Sequence, residues 1–191
     1  FMNEKQRKNT VAVTGTNGKT TLISLLGFIF NGSGRTALTC GNIGNPLIDT
    51  FYFKEAYKDK NDPSKIKDDD TIRIIEVSSF QLENIKSFSP HCAVILNITE
   101  DHMDRHKSMM DYTRLKFKIA DLQSEKDFLI LNLDDKYTNK FIQSSIFSSI
   151  KSQKIYFSLN KNPISNLYNN GDFLSYDLYN IRGRINFSGI R

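Results

Sequence analysis

Cysteines are scarce in this sequence, and they are not arranged as a disulfide framework. The two cysteines, Cys40 and Cys92, stand in apolar surroundings and form no C-x-x-C pair. Such residues are typically buried free thiols, which persist in a reducing compartment. The sequence therefore excludes a small disulfide-stapled domain and predicts a cytoplasmic protein.

The sequence also has no long apolar run, no recognisable secretion signal and no strong predominance of one sign of charge. The longest apolar stretch, residues 22–30, is interrupted by Ser24 and Gly27 and is too short to span a bilayer. The net charge of +5 comes from 26 basic and 21 acidic residues that are mixed along the chain, with no basic stripe between aromatic residues. The short apolar stretch predicts no membrane insertion. Because mixed charges largely screen one another beyond about 8 Å, we also expect no nucleic-acid partner.

The most informative segment that is present is a Gly-rich turn between a predicted strand and a predicted helix. Residues 11–21 read VAVTGTNGKTT. Backbone N–H groups of such a turn and the N-terminus of the helix attract phosphate, Lys19 can reach the β- and γ-phosphates, and Thr20 can ligate Mg²⁺. The loop is shorter than a standard P-loop, since Val13 stands where that motif has its first glycine. The segment predicts a triphosphate site; the alternative is an ordinary turn with a solvated lysine.

Strand and helix signals alternate along the 191 residues, a length that suits one large domain. Apolar β-prone runs predict strands at 10–14, 35–39, 71–77, 92–98, 128–133 and 155–158. Capping and apolar patterns predict helices at 21–30, from Asn45-Pro46 onward, over 108–123 and after Asp134-Asp135. Residues 54–70 and 160–170 are predicted as loops, and strands at 173–179 and 184–187 flank a hairpin turn at 180–183. The pattern predicts an α/β fold: a mostly parallel sheet with flanking helices, a P-loop-like ATPase domain and a small antiparallel hairpin near the C-terminus.

Polar segments follow three further predicted strands, at the sheet edge that also carries the Gly-rich turn. These segments are 41–44, 76–81 and 97–106. Glu76 ends an apolar strand, where a carboxylate is poorly hydrated unless it is paired or bound to a cation such as Mg²⁺. A strand-end glutamate in water is the alternative. Gly41 and Gly44 let a ligand approach the backbone around Asn42, or they simply form a tight turn.

Histidine and lysine side chains of this region admit more than one chemistry. His102 and His106 have the i, i+4 spacing of a zinc pair on a helix, but they follow a strand and no further cysteine or histidine is near in the sequence. A histidine among carboxylates beside a phosphate site fits Mg²⁺ and acyl-group chemistry better. Lys116 lies on a predicted helix with an apolar stripe that includes Tyr112. Composition alone predicts a solvated helix lysine there.

These segments, in this order, resemble the Mur ligases of peptidoglycan synthesis. The residues that carry the resemblance are 14–21, 41–44, 76–83, 95–105, and Tyr112 with Lys116. The first motif is shared by several Mur ligases and by folylpolyglutamate synthases. The runs Ser-Ser-Phe-Gln-Leu and Glu-Asp-His-Met-Asp-Arg point more narrowly to the member that adds D-glutamate to UDP-N-acetylmuramoyl-L-alanine.

The resemblance implies a role for each matching residue. ATP would be held by Gly15, Thr16, Asn17, Gly18, Lys19, Thr20 and Thr21. The catalytic residues would be Lys19, Glu76, His102 and Lys116. One Mg²⁺ ion would be held by Thr20 and Glu76, and a second by His102 and by Lys116 as a carbamate formed with CO₂. The muramoyl substrate would contact Asn42, Ser78, Gln81 and His102.

The reaction that the resemblance implies is an ATP-dependent ligation through an acyl phosphate, carried out by a monomer. Residues 1–8 would be a leader and 9–191 the ATP-binding middle domain, incomplete at its C-terminal end and without the UDP-binding and amino-acid-binding domains. Since positioning two substrates contributes about 7–11 kcal/mol, we expect this chain alone to bind Mg-ATP weakly and to form no amide bond. The alternatives are another Mur-type or folylpolyglutamate-type ligase, a non-catalytic nucleotide-binding module and a basic nucleic-acid-binding domain.

Overall fold

The computed structural model describes residues 2–52, 70–101, 105–106, 108–179 and 181–186 of the chain. Its strands are β1 (Thr10–Thr14), β2 (Ala37–Gly41), β3 (Ile72–Glu76), β4 (Cys92–Ile95), β5 (Phe128–Asn132), β6 (Gln153–Ser158), β7 (Leu167–Asn170), β8 (Phe173–Leu178) and β9 (Ile181–Asn186). Its helices are α1 (Glu4–Lys8), α2 (Lys19–Gly32), α3 (Asp49–Tyr52), α4 (Ser79–Glu83), α5 (Met109–Phe117), α6 (Lys136–Ile142) and α7 (Ser145–Ser148). A 3₁₀ turn, Lys118–Ala120, continues α5.

The described strands form one sheet in the order β2-β3-β1-β4-β5-β6-β7-β8-β9. Neighbours from β2 to β7 are parallel, while β7–β8 and β8–β9 are antiparallel. In the centre, Val13 of β1 lies opposite Glu76 of β3 and Val94 of β4. The carboxyl ends of these three strands therefore share one edge. The mostly parallel sheet with its C-terminal antiparallel strands confirms the predicted fold class.

Apolar residues are buried on both faces of the sheet, because successive strand residues point to opposite sides. On one face Val13 packs in a cluster with Ile23 of α2. On the other face Ala12 packs in a larger cluster with Tyr112 and Phe117 of α5. Burying a large apolar side chain contributes about 1.5–3 kcal/mol, so these contacts hold α2 and α5 over the central strands. Among the described helices, none combines the length and the apolar character needed to cross a membrane.

The helix predicted to start at Asn45-Pro46 begins later, at Asp49. Asn45 is held instead as an extended residue, which forms a bridge with Cys40. Its carbonyl accepts a hydrogen bond from the N–H of Gly41 at 2.9 Å. The chain can turn into α3 only after this bridge, so the sequence signal placed the start too early.

Other predicted boundaries differ by a few residues. Strand β2 starts at Ala37, because the N–H of Arg35 still bonds to the carbonyl of Phe30 near the end of α2, at 3.0 Å. Strand β4 ends at Ile95, and α5 with its 3₁₀ turn ends at Ala120. Each predicted helix and strand nevertheless overlaps an observed one, although α3 begins later than predicted.

Both ends of the chain contain more regular structure than the sequence predicts. Residues 160–170, predicted as a loop, include β7, which pairs with β6 and β8. The hairpin turn predicted at 180–183 extends too far, because β9 already begins at Ile181, which pairs with Leu178 of β8. Tyr179, which follows β8, has a φ of 55°. The segment expected to be a leader includes α1, which Asn3 caps. The predicted loop at 54–70 lies outside the described residues, apart from its last residue.

A buried carboxylate joins α1 to the edge of the sheet opposite the Gly-rich turn. The Asp127 side chain, just before β5, is fully buried. Its Oδ1 accepts a hydrogen bond from Arg7 Nη1 at 2.6 Å and lies 2.9 Å from His91 Nδ1. Its Oδ2 accepts hydrogen bonds from the N–H and the hydroxyl of Ser124, at 2.7 Å and 2.8 Å. Burial raises the pKa of Asp127, but these partners outweigh burial and lower it to about 2.

Replacing Asp127 with asparagine should lower the free energy of unfolding by about 2–3 kcal/mol, because Arg7 loses its partner at a poorly hydrated position. Since the folded-state pKa is depressed, the stabilisation is complete above about pH 4 and is lost as the pH falls through about 2. Urea unfolding across the acid range measures both effects. The matched control is Asp177→Asn, which breaks the exposed pair with Arg182. Equal stability of the two variants would contradict the prediction.

Candidate active site

The turn between β1 and α2 has the geometry of an anion cradle. Gly18, the residue before α2, has a φ of 81°, in the left-handed region that glycine adopts without strain. The N–H groups of Lys19, Thr20 and Thr21 are the first of the helix and have no acceptor within it, whereas the N–H of Leu22 bonds to the Gly18 carbonyl at 3.0 Å. Such donors at the positive end of a helix favour a bound phosphate.

The first half of the same turn is bonded to the loop after β4. The N–H of Thr16 donates to the Asn97 carbonyl at 2.9 Å. The N–H of Asn17 donates to Asn97 Oδ1 at 2.8 Å. The resemblance assigns Thr16 and Asn17 to ATP, but their amides are engaged within the protein. In this structure these two amides are therefore not available to a ligand.

Glu76 ends β3 against the start of α2, and its side chain is buried. Its Oε2 accepts a hydrogen bond from the Thr20 hydroxyl at 2.8 Å, and its Oε1 accepts one from Asn42 Nδ2 at 3.1 Å. The N–H of Asn42 also donates to the Glu76 carbonyl at 2.9 Å. Gly41, with a φ of 112°, permits this approach, since a Cβ there would lie 2.2 Å from the Glu76 carbonyl oxygen. The structure thus brings together residues from three of the predicted segments.

Two lysines converge on one backbone oxygen in the turn. Lys19 Nζ donates to the carbonyls of Gly15 at 3.0 Å and Thr16 at 2.8 Å, and Lys116 Nζ donates to the same Gly15 carbonyl at 3.0 Å. Lys116 is only 1% exposed, so the expectation of a solvated helix lysine is wrong. Burial, together with the charge of Lys19, lowers the pKa of Lys116 to about 7, although the charge of Asp101 opposes this shift. A substantial share of Lys116 is therefore a neutral amine near neutral pH.

Tyr112 forms one wall beside these lysines. Its ring is buried, and Lys116 Nζ lies 4.5 Å from the ring centroid. Burial raises the pKa of its hydroxyl. A cavity of about 130 Å³ opens here, lined by Gly15, Lys19, Asn42, Ser78, Ser79, Phe80, Asp101, Tyr112 and Lys116. This cavity has room for a phosphoryl group rather than for a whole nucleotide. Asp101 and Tyr112 were not singled out as site residues from the sequence.

Ser78 and Gln81, two of the predicted substrate contacts, form a capping box at the start of α4. The N–H of Gln81 donates to Ser78 Oγ at 3.3 Å, and the N–H of Ser78 donates to Gln81 Oε1 at 2.9 Å. These bonds give both side chains a structural role, and their contact with substrate stays a prediction. His102 lies outside the described residues, so its predicted roles stay predictions as well.

His106, the second histidine of the i, i+4 pair, lies among aromatic rings. It is 9% exposed, and its ring centroid is 4.7 Å from that of Tyr112 and 6.5 Å from that of Phe80. The guanidinium of Arg105 lies over the Phe80 ring, 4.5 Å from its centroid. These contacts make His106 part of the packing around Tyr112.

The oxygen donors of the site fit a Mg²⁺ ion that also binds phosphate. The Thr20 hydroxyl and the Glu76 carboxylate are 2.8 Å apart, close enough to share one ion. Mg²⁺ prefers hard oxygen ligands and is usually held by one or two protein groups together with phosphate oxygens and water. Within the part of the chain that the structure describes, no group of three or more His, Cys, Asp or Glu side chains assembles into a metal site. The residues therefore suit a Mg²⁺–phosphate site and not a closed protein cage.

Comparison with known families and sequences gives a consistent result. The family model of the Mur ligase middle domain matches residues 13–188. The UDP-N-acetylmuramoylalanine–D-glutamate ligase of Caldicellulosiruptor bescii is 41% identical over 151 residues, which cover 76% of this chain and 30% of the relative. The ligase of the same name from Clostridioides difficile strain 630 is 39% identical over 158 residues, covering 83% of this chain and 31% of the relative. The chain thus spans about a third of the length of these relatives.

Solved structures share the fold. A UDP-N-acetylmuramoyl-L-alanyl-D-glutamate–2,6-diaminopimelate ligase superposes with a TM-score of 0.65 at 21% identity, over 92% of this chain and 38% of that protein. At this identity the likeness concerns the fold alone.

Proposed function

The chain belongs to the Mur ligase family, and from that premise we propose that it supplies the ATP-binding site of a ligase that joins D-glutamate to UDP-N-acetylmuramoyl-L-alanine. The observation that carries the proposal is one cluster: the Thr20 hydroxyl lies 2.8 Å from the Glu76 carboxylate, and the Nζ atoms of Lys19 and Lys116 each lie 3.0 Å from the Gly15 carbonyl oxygen. The names of the relatives favour D-glutamate over a folate substrate.

In the proposed reaction, an oxygen of the substrate carboxylate attacks the γ-phosphorus of ATP, and ADP leaves with the electron pair of the broken P–O bond. The nitrogen of D-glutamate then attacks the carbonyl carbon of the acyl phosphate, inorganic phosphate leaves, and the amine gives up a proton. Lys19 and the first amides of α2 would stabilise the charge of the transferring phosphoryl group. Thr20 and Glu76 would hold Mg²⁺, which supplies positive charge to the phosphate oxygens.

Lys116 would act as a carbamate in this site. The neutral Nζ attacks the carbon of CO₂, one C–O π pair moves to oxygen, and one N–H proton is released, which leaves N–COO⁻ on the side chain. This replaces an ammonium group by two oxygen donors of the kind that Mg²⁺ prefers. The lowered pKa of Lys116, about 7, supports the reaction because only the neutral amine is nucleophilic. A second Mg²⁺ ion held by Lys116 and His102 would require this carbamate.

Further parts of the proposal concern the whole protein. The proposed enzyme is cytoplasmic and monomeric, and residues 9–191 belong to its ATP-binding middle domain. Positioning of the muramoyl substrate by Asn42, Ser78 and Gln81 belongs to the same proposal.

Nucleotide binding to the 191-residue chain tests the phosphate site directly. Lys19→Ala should weaken Mg-ATP binding by about tenfold or more, because it removes a charge-assisted contact to phosphate. A ³¹P NMR titration detects even weak binding. The matched control is Lys118→Ala, since Lys118 Nζ donates to the Glu83 carbonyl at 2.9 Å and is not part of the cavity. Equal affinities of the two variants would contradict the role of Lys19.

Ligation is tested in a chimaeric ligase, the C. difficile relative in which the aligned segment is replaced by that of this chain. ADP release should require both UDP-N-acetylmuramoyl-L-alanine and D-glutamate, and Lys19→Ala in the chimaera should abolish it. A chimaera that unfolds cooperatively and binds Mg-ATP, but releases no ADP when both substrates are present, would overturn the proposed role of this chain in ligation.

A further inference from the structure

The phosphate turn and the loop after β4 stay bonded beyond the ends of their strands. The β1–β4 ladder ends where Thr14 lies opposite Ile95. Past that point the N–H of Leu96 donates to the Thr14 carbonyl at 3.0 Å, and the N–H of Thr16 donates to the Asn97 carbonyl at 2.9 Å. The two backbones thus continue side by side into the turn.

Side chains then take over the connection in a reciprocal way. Asn97 Oδ1 accepts a hydrogen bond from the Asn17 N–H at 2.8 Å, and Asn97 Nδ2 donates to the Asn17 carbonyl at 3.0 Å. The Thr16 hydroxyl accepts a hydrogen bond from the Thr99 N–H at 3.0 Å and donates to the Thr99 carbonyl at 3.2 Å. Each segment therefore uses one side chain to satisfy both backbone groups of a residue in the other. We call Thr16, Asn17, Asn97 and Thr99 the loop clamp.

We propose that Asn97 is a positioning residue of the phosphate site, which holds the turn in the shape that presents the amides of Lys19–Thr21 to phosphate. The inference rests on the proposed function, since it concerns the same site. A planar amide bonded at both ends to one residue cannot rotate without breaking both bonds. Asn17 directly precedes Gly18, whose left-handed φ begins α2. Gly18 itself does not resist a change of backbone angle, so the turn depends on an external anchor.

The loop clamp lies outside the apolar core, so the positioning role of Asn97 can be distinguished from a role in folding. Asn17 and Thr99 are exposed and Asn97 is half-buried, outside both apolar clusters. Loss of the Asn97 amide should therefore change the shape of the turn much more than the stability of the domain. It should also release the Asn17 N–H, which gives an observable at a single backbone position.

Binding of Mg²⁺-tripolyphosphate to the 191-residue chain tests the proposal, because this probe reports on the phosphate site without a base or a sugar. Asn97→Ala should weaken binding by about tenfold, the effect of losing two hydrogen bonds that shape the site. It should also speed hydrogen exchange of the Asn17 amide, with an unchanged Tm.

The matched control is Asn132→Ala. Asn132 Nδ2 donates to the Leu96 carbonyl at 2.9 Å, and Asn132 Oδ1 accepts from the Asp134 N–H at 2.9 Å, so this amide is also bonded at both ends and touches the same loop. It does not touch the turn, and its loss should leave tripolyphosphate binding unchanged.

The outcomes separate this proposal from the proposed function. If the unmodified chain binds no tripolyphosphate, the proposed phosphate site is wrong. If it binds and Asn97→Ala binds equally well or better, the positioning role is wrong. A lower Tm for Asn97→Ala with unchanged exchange at Asn17 would also overturn it, because the effect would then be one of folding.

Discussion

Replacing Lys116 with alanine should reduce turnover of the chimaeric ligase by about 10²–10³-fold, the typical effect of removing one charge-stabilising group from a site of this kind. Acetate or formate should restore part of the activity, because a small carboxylate fits the space left by the side chain and offers the oxygen donors of a carbamate. ADP release at saturating substrate, with and without the carboxylate, measures both effects. Lys116 is suited to this role because it is 1% exposed and its pKa is lowered to about 7.

The matched control for this experiment is Lys116→Arg. Arginine keeps a positive charge and fills the space, but it cannot form the carbamate and leaves no room for acetate. It should therefore be inactive with or without the carboxylate. Unchanged activity of Lys116→Ala in the absence of any carboxylate would end the carbamate proposal.

The carbamate should also depend on pH in the 191-residue chain itself. Only the neutral amine reacts with CO₂, so its occupancy should fall as the pH drops below about 7. The ¹³C NMR spectrum with labelled bicarbonate should contain a carbamate signal that Lys116→Ala lacks. A signal that persists in this variant would assign the carbamate to another amine of the chain.

The central strands could be predicted from the sequence because their composition leaves few alternatives. The residues of Thr10–Thr14 are β-prone and form a strand buried on both faces, with the predicted bounds. The run Leu167–Asn170, which reads Leu-Tyr-Asn-Asn, is too short and too mixed to give such a signal. It becomes a strand because β6 and β8 offer it backbone partners on both sides. Pairing of this kind depends on residues outside the run itself, so the composition of the run does not reveal it.

The part of the candidate site that lies within a single motif could be predicted from the sequence. The glycines, Lys19 and Thr20 belong to a single turn, and the spacing alone predicts their common role. The Asn97 contact joins residues 80 apart in sequence, and the Lys116 contact joins residues 101 apart. Both contacts depend on which strand lies beside β1 and on how α5 packs across the sheet. Lys116 could therefore be predicted as a site residue only through the family resemblance. The sequence did not reveal that its side chain is buried.

Replacing Glu76 with glutamine should remove the dependence of nucleotide binding on Mg²⁺. The carboxylate accepts hydrogen bonds from Thr20 on one oxygen and from Asn42 on the other, at 2.8 Å and 3.1 Å. Glutamine has one acceptor oxygen and an NH₂ group, so one of these donors must turn away and the negative charge for the cation is lost. ADP affinity of the 191-residue chain, measured with and without Mg²⁺, should differ for the unmodified protein and coincide for Glu76→Gln. Ligation in the chimaera should fall by about 10²–10³-fold.

Glu83→Gln provides the matched control for Glu76. It removes a carboxylate that pairs with Arg105 at 2.9 Å, a contact apart from the phosphate turn, and it should keep the full effect of Mg²⁺. Because Glu76 is buried, a second readout guards against a folding effect: Mn²⁺ in place of Mg²⁺, with water-proton relaxation reporting on the bound ion in a variant of unchanged Tm. If Glu76→Gln still binds Mn²⁺ together with ADP as tightly as the control, the cation is held elsewhere. The pairing of Thr20 with Glu76 would then serve only to fasten β3 to the start of α2.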